Sequence, residues 1–332
     1  MTQSLFTLHD RRPLVMGIVN VTPDSFYPDS RVDSEDAALR RAEDMVAAGA
    51  DILDIGGEST RPGSAAVDAA EEEGRVVPVL HALAERFPGG SDGAGDDARR
   101  RSLQLSVDTR KASVARAALD AGAVLVNDVS GLRDDPHMLP LVAERGVLVC
   151  IMHMQGSPET MQKDPTYRDP VTDIRSDLAR RVEAARAAGV RDEQIILDPG
   201  IGFGKTVRDN LALIARLGEI RSLGYPVLMG ISRKSFVGRV LAAGGGPGDL
   251  VSARPAAGTP SAAASPAPGS GRFEAIDRIE PRPVEDRLAG TLGATAAAIA
   301  GGADILRVHD VAETADLVTV MRAVSGEATT EP

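Results

Sequence analysis

Eight short runs of apolar, largely β-branched residues recur along the chain and end in polar residues or glycine. They are 14–21 (LVMGIVNV), 50–57 (ADILDIGG), 104–109 (QLSVDT), 124–130 (VLVNDVS), 146–153 (GVLVCIMH), 195–200 (IILDPG), 227–232 (VLMGIS) and 303–310 (ADILRVHD). Most have the near-continuous hydrophobicity of strands buried on both faces. Between them lie stretches with helical composition, rich in Ala, Leu, Arg and Glu: 34–48, 67–86, 111–121, 170–188, 207–223 and 285–300. Glycine closes several of these, at Gly49, Gly122 and Gly189. Strand and helix alternating eight times predict an α/β fold, a (β/α)8 TIM barrel. A doubly wound open sheet is the alternative, but it concentrates polar residues at switch-point loops, whereas here nearly every strand end carries them.

Two segments interrupt the rhythm. Residues 243–271 are almost entirely Ala, Gly, Pro and Ser, and 88–101 (PGGSDGAGDDARRR) is a shorter stretch of the same kind. Neither carries enough large apolar side chains to offset its ordering entropy, so both read as flexible insertions in surface connections. The chain therefore reads as one domain over 1–332, with an ordered core of about 12–325.

Composition narrows the chemistry. With 332 residues, 43% hydrophobic and 26% charged, the chain has the make-up of a soluble globular protein. One cysteine, Cys150, excludes an internal disulfide and any cysteine-built metal cluster, and points to a reducing, cytoplasmic setting. Residues 1–10 carry no apolar run of about 7–15 residues and no uncharged apolar run reaches about 18 residues, so neither a secretory leader nor a membrane span is expected. A net charge of −11, no tryptophan and 3% aromatics argue against nucleic acid as partner. An anionic ligand must therefore meet a local cluster of cations.

In barrels of this class the active site is built at the C-terminal ends of the strands, so its residues can be read in order. Asn20 ends the first strand; Glu58, Ser59, Thr60 and Arg61 follow the second; Asp108 ends the third and Asn127 with Asp128 the fourth. His153 ends the fifth and Asp198 the sixth; Ser232, Arg233, Lys234 and Ser235 follow the seventh; Arg307, His309 and Asp310 end the eighth. Asp108, Asn127 and Asp198 suit a flat heterocycle with several N–H donors, because a buried polar site discriminates strongly against analogues that leave its groups unpaired. Arg61, Lys234, Arg307 and His309 suit an anion at the same mouth. Asp135 and Ser34 read as turn or helix N-cap residues, and Asp54 as either a site residue or a structural group inside the barrel.

Other motifs fail. Gly204-Lys205-Thr206 resembles the end of a phosphate-binding loop, but Pro199 stands where the pattern needs glycine. Gly200, Gly202 and Gly204 miss the dinucleotide spacing and read as room for a ligand. Cys150 sits between Val149 and Ile151 within a strand and reads as inert. Met152 and Met154 read as packing residues.

Seven stretches in chain order, VMGIVNVTPDSF (15–26), DILDIGGESTRPG (51–63), SVDTRK (106–111), NDVSG (127–131), LDPGIGFGKT (197–206), GISRKSF (230–236) and RVHD (307–310), resemble the dihydropteroate synthases. The resemblance runs from about 14 to 325. It implies a transferase of folate biosynthesis, a family that sulfonamides target, joining p-aminobenzoate to 6-hydroxymethyl-7,8-dihydropterin diphosphate and releasing diphosphate. It implies Asp108, Asn127, Asp198 and Lys234 as the dihydropterin contacts, with Met152 lining that pocket. It places Arg307, His309 and Thr60 on the diphosphate, and Thr60, Arg61, Pro62, Phe203 and Ser235 on p-aminobenzoate. Lys234, Asp108 and Arg307 are the implied catalytic residues. Asn20 is the implied magnesium ligand, Mg2+ the implied cofactor and a homodimer the implied assembly. The loops holding Asp24, Ser25, Phe26 and residues 60–66 resemble mobile lids. One departure stands out: where the family usually has serine, aspartate and paired glycines, this chain has Tyr27, Pro28, Asp29, Ser30 and Arg31, which predicts a stiffer first lid. A non-catalytic pterin-binding paralogue and a methyltetrahydrofolate corrinoid methyltransferase remain alternatives; the STRPG and SRKSF stretches argue against the latter.

Overall fold

A computed structural model of the chain describes residues 12–21, 31–59, 66–88, 103–156, 160–244 and 275–326, with the backbone alone over 31–34. The two insertions lie almost wholly outside the described residues, as do residues 22–30 of the first lid and 60–65 of the second. Eight strands run in one sheet: β1 (Leu14–Asn20), β2 (Ile52–Gly56), β3 (Gln104–Asp108), β4 (Leu125–Asp128), β5 (Leu148–Met152), β6 (Ile195–Asp198), β7 (Leu228–Met229) and β8 (Ile305–Val308). Neighbouring strands pair in parallel in the order β6-β5-β4-β3-β2-β1-β8-β7, and a parallel bridge from Leu197 to Val227 joins the two ends. The sheet is therefore a closed barrel, which leaves no unpaired edge.

Helices return the chain along the outside: α1 (Arg31–Ala47), α2 (Ala69–Arg86), α3 (Ala112–Asp120), α4 (Met138–Arg145), α5 (Pro170–Ala187), α6 (Val207–Ala215), α7 (Leu217–Arg221), α8 (Ser235–Ala242), α9 (Leu288–Ala300) and α10 (Val311–Val324). The run expected over 207–223 is two helices, because Arg216, with φ −116° and ψ 26°, departs from helical geometry. Ser34 lies inside α1, past its first turn, and is not the cap that the sequence suggests. Asp135 serves as expected in a turn, accepting from the His137 N–H, and also accepts from the Ala112 N–H at the start of α3. No helix among the described residues is long and apolar enough to cross a membrane.

Alternation along the strands divides two cores. Val15, Val19, Leu53, Ile55, Val107, Val126, Val149, Ile151, Leu197 and Leu306 point outward and pack beneath the helices. Leu14, Met16, Ile52, Leu125, Leu148, Cys150, Ile196, Leu228 and Ile305 fill the barrel interior. Since successive side chains take opposite faces, the residue two positions after each interior apolar one points up the same bore. Asp54 follows Ile52, Asn127 follows Leu125, Met152 follows Cys150, Asp198 follows Ile196 and Arg307 follows Ile305 in this way. Register aligns them across strands: Asp108 pairs with Asn127, and Met152 with Asp198. One strand period thus converts a filled apolar bore into a polar mouth.

The loop after β6 is anchored where α6 begins. Thr206 Oγ1 accepts from the Asp209 N–H while the Asp209 carboxylate accepts from the Thr206 N–H, a reciprocal cap. Thr206→Ala should cost about 1 kcal/mol in urea denaturation, the usual loss for removing such a cap. An unchanged midpoint would show that the reciprocal pair does not hold this helix end.

Candidate active site

The interior polar residues form one connected set. Asp54 is fully buried and accepts from Ser106 Oγ at 2.6 Å, Asn127 Nδ2 at 2.9 Å and Arg307 Nε at 2.6 Å. Arg307 also donates to Asp108 Oδ2 at 2.6 Å. One guanidinium therefore bridges two buried carboxylates from adjacent strands, a geometry that Arg's planar fork supports and Lys cannot. Burial, only partly offset by Arg307 and reinforced by Asp54, pushes Asp108 up to about 7. The same two carboxylates hold Arg307 charged, its pKa raised despite burial. Asp54 is thus a structural hub inside the barrel that also sets the pose of two candidate ligand-binding side chains, Asn127 and Arg307.

A second group gathers beside it on β6 and the loops after β6 and β7. Asp198 is buried; one carboxylate oxygen accepts from the Gly200 N–H at 2.6 Å, and the other takes no hydrogen bond from the described residues. Burial raises its pKa, while the nearby Lys234, the Gly200 N–H and Lys205 pull it back. Lys234 donates to the Ile201 carbonyl and holds its ammonium 4.5 Å from the centre of the Phe203 ring, a cation–π contact. Burial lowers Lys234 to about 8, with Asp198 opposing the shift. Glycine is required here: Gly200 has φ +70°, and a Cβ on it would sit 1.9 Å from the His153 carbonyl. Gly202, at φ +82°, lets the Lys234 stem pass where a Cβ would stand 2.8 Å from its Cδ. Met152 packs with Val129, Met154, Met161 and Phe203 on the apolar side of this group.

The anion-binding candidates lie at the adjoining rim. His309 Nδ1 is 2.9 Å from Ser232 Oγ, and burial with the neighbouring Arg307 lowers the ring to about 4. Asn20, at the end of β1, is exposed and free of side-chain hydrogen bonds to the described residues. Ser235 begins α8 and is also exposed. Thr60, Arg61 and Pro62 lie outside the described residues. The structure therefore brings Asp108, Asn127, Met152, Asp198, Phe203, Lys234 and Arg307 around one mouth, with His309, Asn20 and Ser235 at its edge.

Several other strand-end residues serve the scaffold. Asp128 points away from the bore and accepts from the Ser130 and Leu132 N–H groups, closing the turn after β4. Glu58 pairs with Arg110 at 3.0 Å and Lys111 at 2.5 Å. His153 stacks at a tilt against Tyr167, and its Nδ1 lies 3.1 Å from the buried Lys205 ammonium, which also donates to the Phe203 carbonyl at 2.8 Å. Burial and that cation drop His153 to about 2, so it is a neutral spacer. Cys150 lies inside the bore with its thiol pKa raised by burial, as its inert reading requires. Ser106 and Lys205 lie within the quoted motifs, but the sequence assigns neither a supporting role. Strand alternation from Asp108 back to Ser106 is the signal that finds the first, whereas nothing local marks Lys205 as buried.

Comparison with known proteins agrees with this geometry. The sequence profile of the family described as pterin binding enzyme matches residues 16–309. The chain is 38% identical to the dihydropteroate synthase of Synechocystis over 96% of its own length and 93% of that protein's. It is 40% identical to the Bacillus subtilis dihydropteroate synthase, with 95% and 90% of the two chains covered. Among solved structures, Yersinia pestis dihydropteroate synthase with a sulfonamide drug superposes with a TM-score of 0.77 at 38% identity, covering 98% of this chain and 99% of that one. Burkholderia cenocepacia dihydropteroate synthase complexed with 7,8-dihydropteroate gives 0.72 at 41% identity, over 95% and 92% of the two chains. Identity of this order over nearly the whole length, on the same closed barrel, shows that the chain belongs to the dihydropteroate synthase family of pterin-binding enzymes.

Proposed function

We infer that the protein condenses p-aminobenzoate with 6-hydroxymethyl-7,8-dihydropterin diphosphate to give 7,8-dihydropteroate and diphosphate. The observation that carries this reading is the mouth itself, where buried Asp198 has an oxygen without a hydrogen-bond partner among the described residues, beside the Lys234 ammonium and the Asp54–Arg307–Asp108 set. Asp198 accepts from the donor edge of the pterin, Asn127 and Asp108 also hold the ring, and Met152 covers an apolar face. Lys234 donates to the ring from its place over Phe203. Arg307 and His309, with Thr60 of the second lid, take the diphosphate oxygens; Arg61, Pro62, Phe203 and Ser235 frame p-aminobenzoate.

In the reaction the bond from the pterin methylene carbon to the diphosphate oxygen breaks, the electron pair leaves with the oxygen, and the positive charge spreads into the ring. The arylamine nitrogen then forms the new C–N bond and gives up a proton. Preorganised charge is what this chain supplies: Arg307, fixed by two carboxylates before substrate arrives, reorients little as charge grows on the leaving group. Asn20 fits magnesium, a hard ion that keeps several waters and needs one protein oxygen beside phosphate oxygens. Among the described residues no cluster of three or more His, Cys, Asp or Glu competes for a metal. When bound, the ion neutralises charge on the diphosphate. A homodimer is proposed from the family likeness, supported by Val320 and Val324 exposed on α10; a cytoplasmic setting is proposed from the lone buried thiol.

Diphosphate release that requires both substrates tests the reading; release indifferent to p-aminobenzoate would contradict it. The lowered Lys234 pKa adds a second expectation. The cation is lost as pH rises through about 8, so kcat/KM should fall on that alkaline side. Lys234→Arg, which stays charged, should remove that limb even if its rate is lower throughout. A limb unmoved by Lys234→Arg would assign it to another group.

A further inference from the structure

Two consecutive residues after β7 grip two consecutive residues at the end of β8. Ser232 Oγ accepts from the His309 backbone N–H at 3.2 Å and lies 2.9 Å from His309 Nδ1. Arg233 forks onto the Asp310 carboxylate at 2.8 and 2.7 Å. Arg233 is held in the left-handed region, at φ 54°, an unfavourable conformation for a side chain of this kind. Its N–H donates to Thr291 Oγ1 at 3.1 Å and its carbonyl accepts from Arg287 at 2.9 Å, so the clasp is fixed from both sides.

Ser232 is buried, and its hydroxyl makes no hydrogen bond among the described residues other than these two to His309. If Nδ1 carried the ring proton and donated to Oγ, the hydroxyl proton would be left without an acceptor, a cost buried polar groups avoid. A hydroxyl that donates to Nδ1 satisfies both the hydroxyl and Nδ1 and leaves Nε2–H for a ligand at the mouth. We infer that Ser232 is a positioning residue that holds neutral His309 in the Nε2–H tautomer, so that the ring presents a fixed hydrogen-bond donor to a diphosphate oxygen.

Burial and Arg307 keep the ring uncharged at neutral pH, with its pKa near 4. An uncharged imidazole offers one donor and one acceptor, and only the tautomer that donates at the mouth suits an anion. The inference rests on the proposed contact between His309 and diphosphate, and the two are separable by experiment.

Proton–nitrogen correlation spectra of the full-length chain labelled in histidine nitrogen read the tautomer, with His309 assigned by its loss in His309→Gln. The expected spectrum has a protonated Nε2 and a bare Nδ1, with Ser232→Ala giving a mixture. Calorimetry with inorganic diphosphate and magnesium should show about fivefold weaker binding in Ser232→Ala, since a ring that divides its time between poses binds in proportion to the competent fraction. Ser232→Thr should restore most of that affinity. In a His309→Gln background, where the amide donates without any tautomer to select, Ser232→Ala should change nothing further. A protonated Nδ1 in the wild type, or an equal loss in both backgrounds, would overturn the inference. Undiminished diphosphate affinity in His309→Ala would overturn the diphosphate contact, and with it the purpose assigned to the tautomer, while leaving the Ser232–His309 geometry standing.

Discussion

Asp198→Ala should lower kcat/KM for the dihydropterin diphosphate by about 10²- to 10³-fold, the loss typical of removing one preorganised electrostatic partner from a site. Stability should barely suffer. The carboxylate is buried with a raised pKa, so the fold gains little from its charge, and its one hydrogen bond among the described residues is to the Gly200 N–H. Truncation removes a buried charge and leaves one backbone donor to find water. The expected pattern is therefore a collapse of turnover with an almost unchanged denaturation midpoint. Asp198→Asn should be nearly as poor, because an amide has a single acceptor oxygen and turns a donating NH2 toward the donor edge or the Gly200 N–H. Steady-state kinetics with each substrate varied, beside urea melts, check both halves. Near-normal turnover in Asp198→Ala would remove Asp198 from the pterin site.

Arg307→Met should cost both activity and about 3–5 kcal/mol of stability, the range expected when one partner of a buried ionic set is removed and the others stay. Here two carboxylates, Asp54 and Asp108, are left without their cation. The loss should depend on pH in a definite direction. Asp108 already sits near 7, above its usual unfolded value near 4. A carboxyl with a raised folded pKa binds more protons folded than unfolded between those values, so its contribution falls as pH rises through that window. Without Arg307 the folded pKa climbs further, and the deficit should be largest at neutral pH and shrink toward pH 4. Adding Asp54→Asn to Arg307→Met should recover part of the stability without recovering turnover, because the unpaired charge is relieved while the diphosphate contact stays lost. A deficit that does not change between pH 4 and 7 would contradict the buried triad.

Much of this architecture can be read from the chain because strands buried on both faces leave a continuous apolar signature that ends abruptly at the polar mouth of the barrel. Runs such as VLVCIM and IILDPG mark both the wall of the barrel and where it stops. β7 is the exception. Only Leu228 and Met229 pair as strand, since Gly230 and the turn carrying Arg233 at φ 54° leave the ladder early. The division of 207–223 into two helices is likewise invisible locally, because Arg216 is a good helix former and the break is a matter of backbone geometry at one residue.

The candidate residues at the barrel mouth follow from the strand-end rule, but their supports do not. Asp54 looks like any polar residue within a strand until Arg307, 253 positions away, is brought to 2.6 Å. Lys205 looks like part of a failed phosphate loop until burial against His153 and the Phe203 carbonyl shows it bracing the loop beneath Lys234. Asp128 adjoins Asn127, yet the pleat turns it to the outside, and there it closes a turn. Long-range pairing and the parity of the pleat decide these cases, and neither is a property of neighbouring residues.

The most direct test of the central claim is the mass of the product formed when the full-length chain is incubated with 6-hydroxymethyl-7,8-dihydropterin diphosphate, p-aminobenzoate and magnesium, beside Asp198→Ala under the same conditions. The expected result is 7,8-dihydropteroate from the native chain, dependent on both substrates, and little or none from the variant. Tight pterin binding with no dihydropteroate formed, under conditions where another family member turns over, would contradict the assignment and identify a pterin-binding protein without synthase activity.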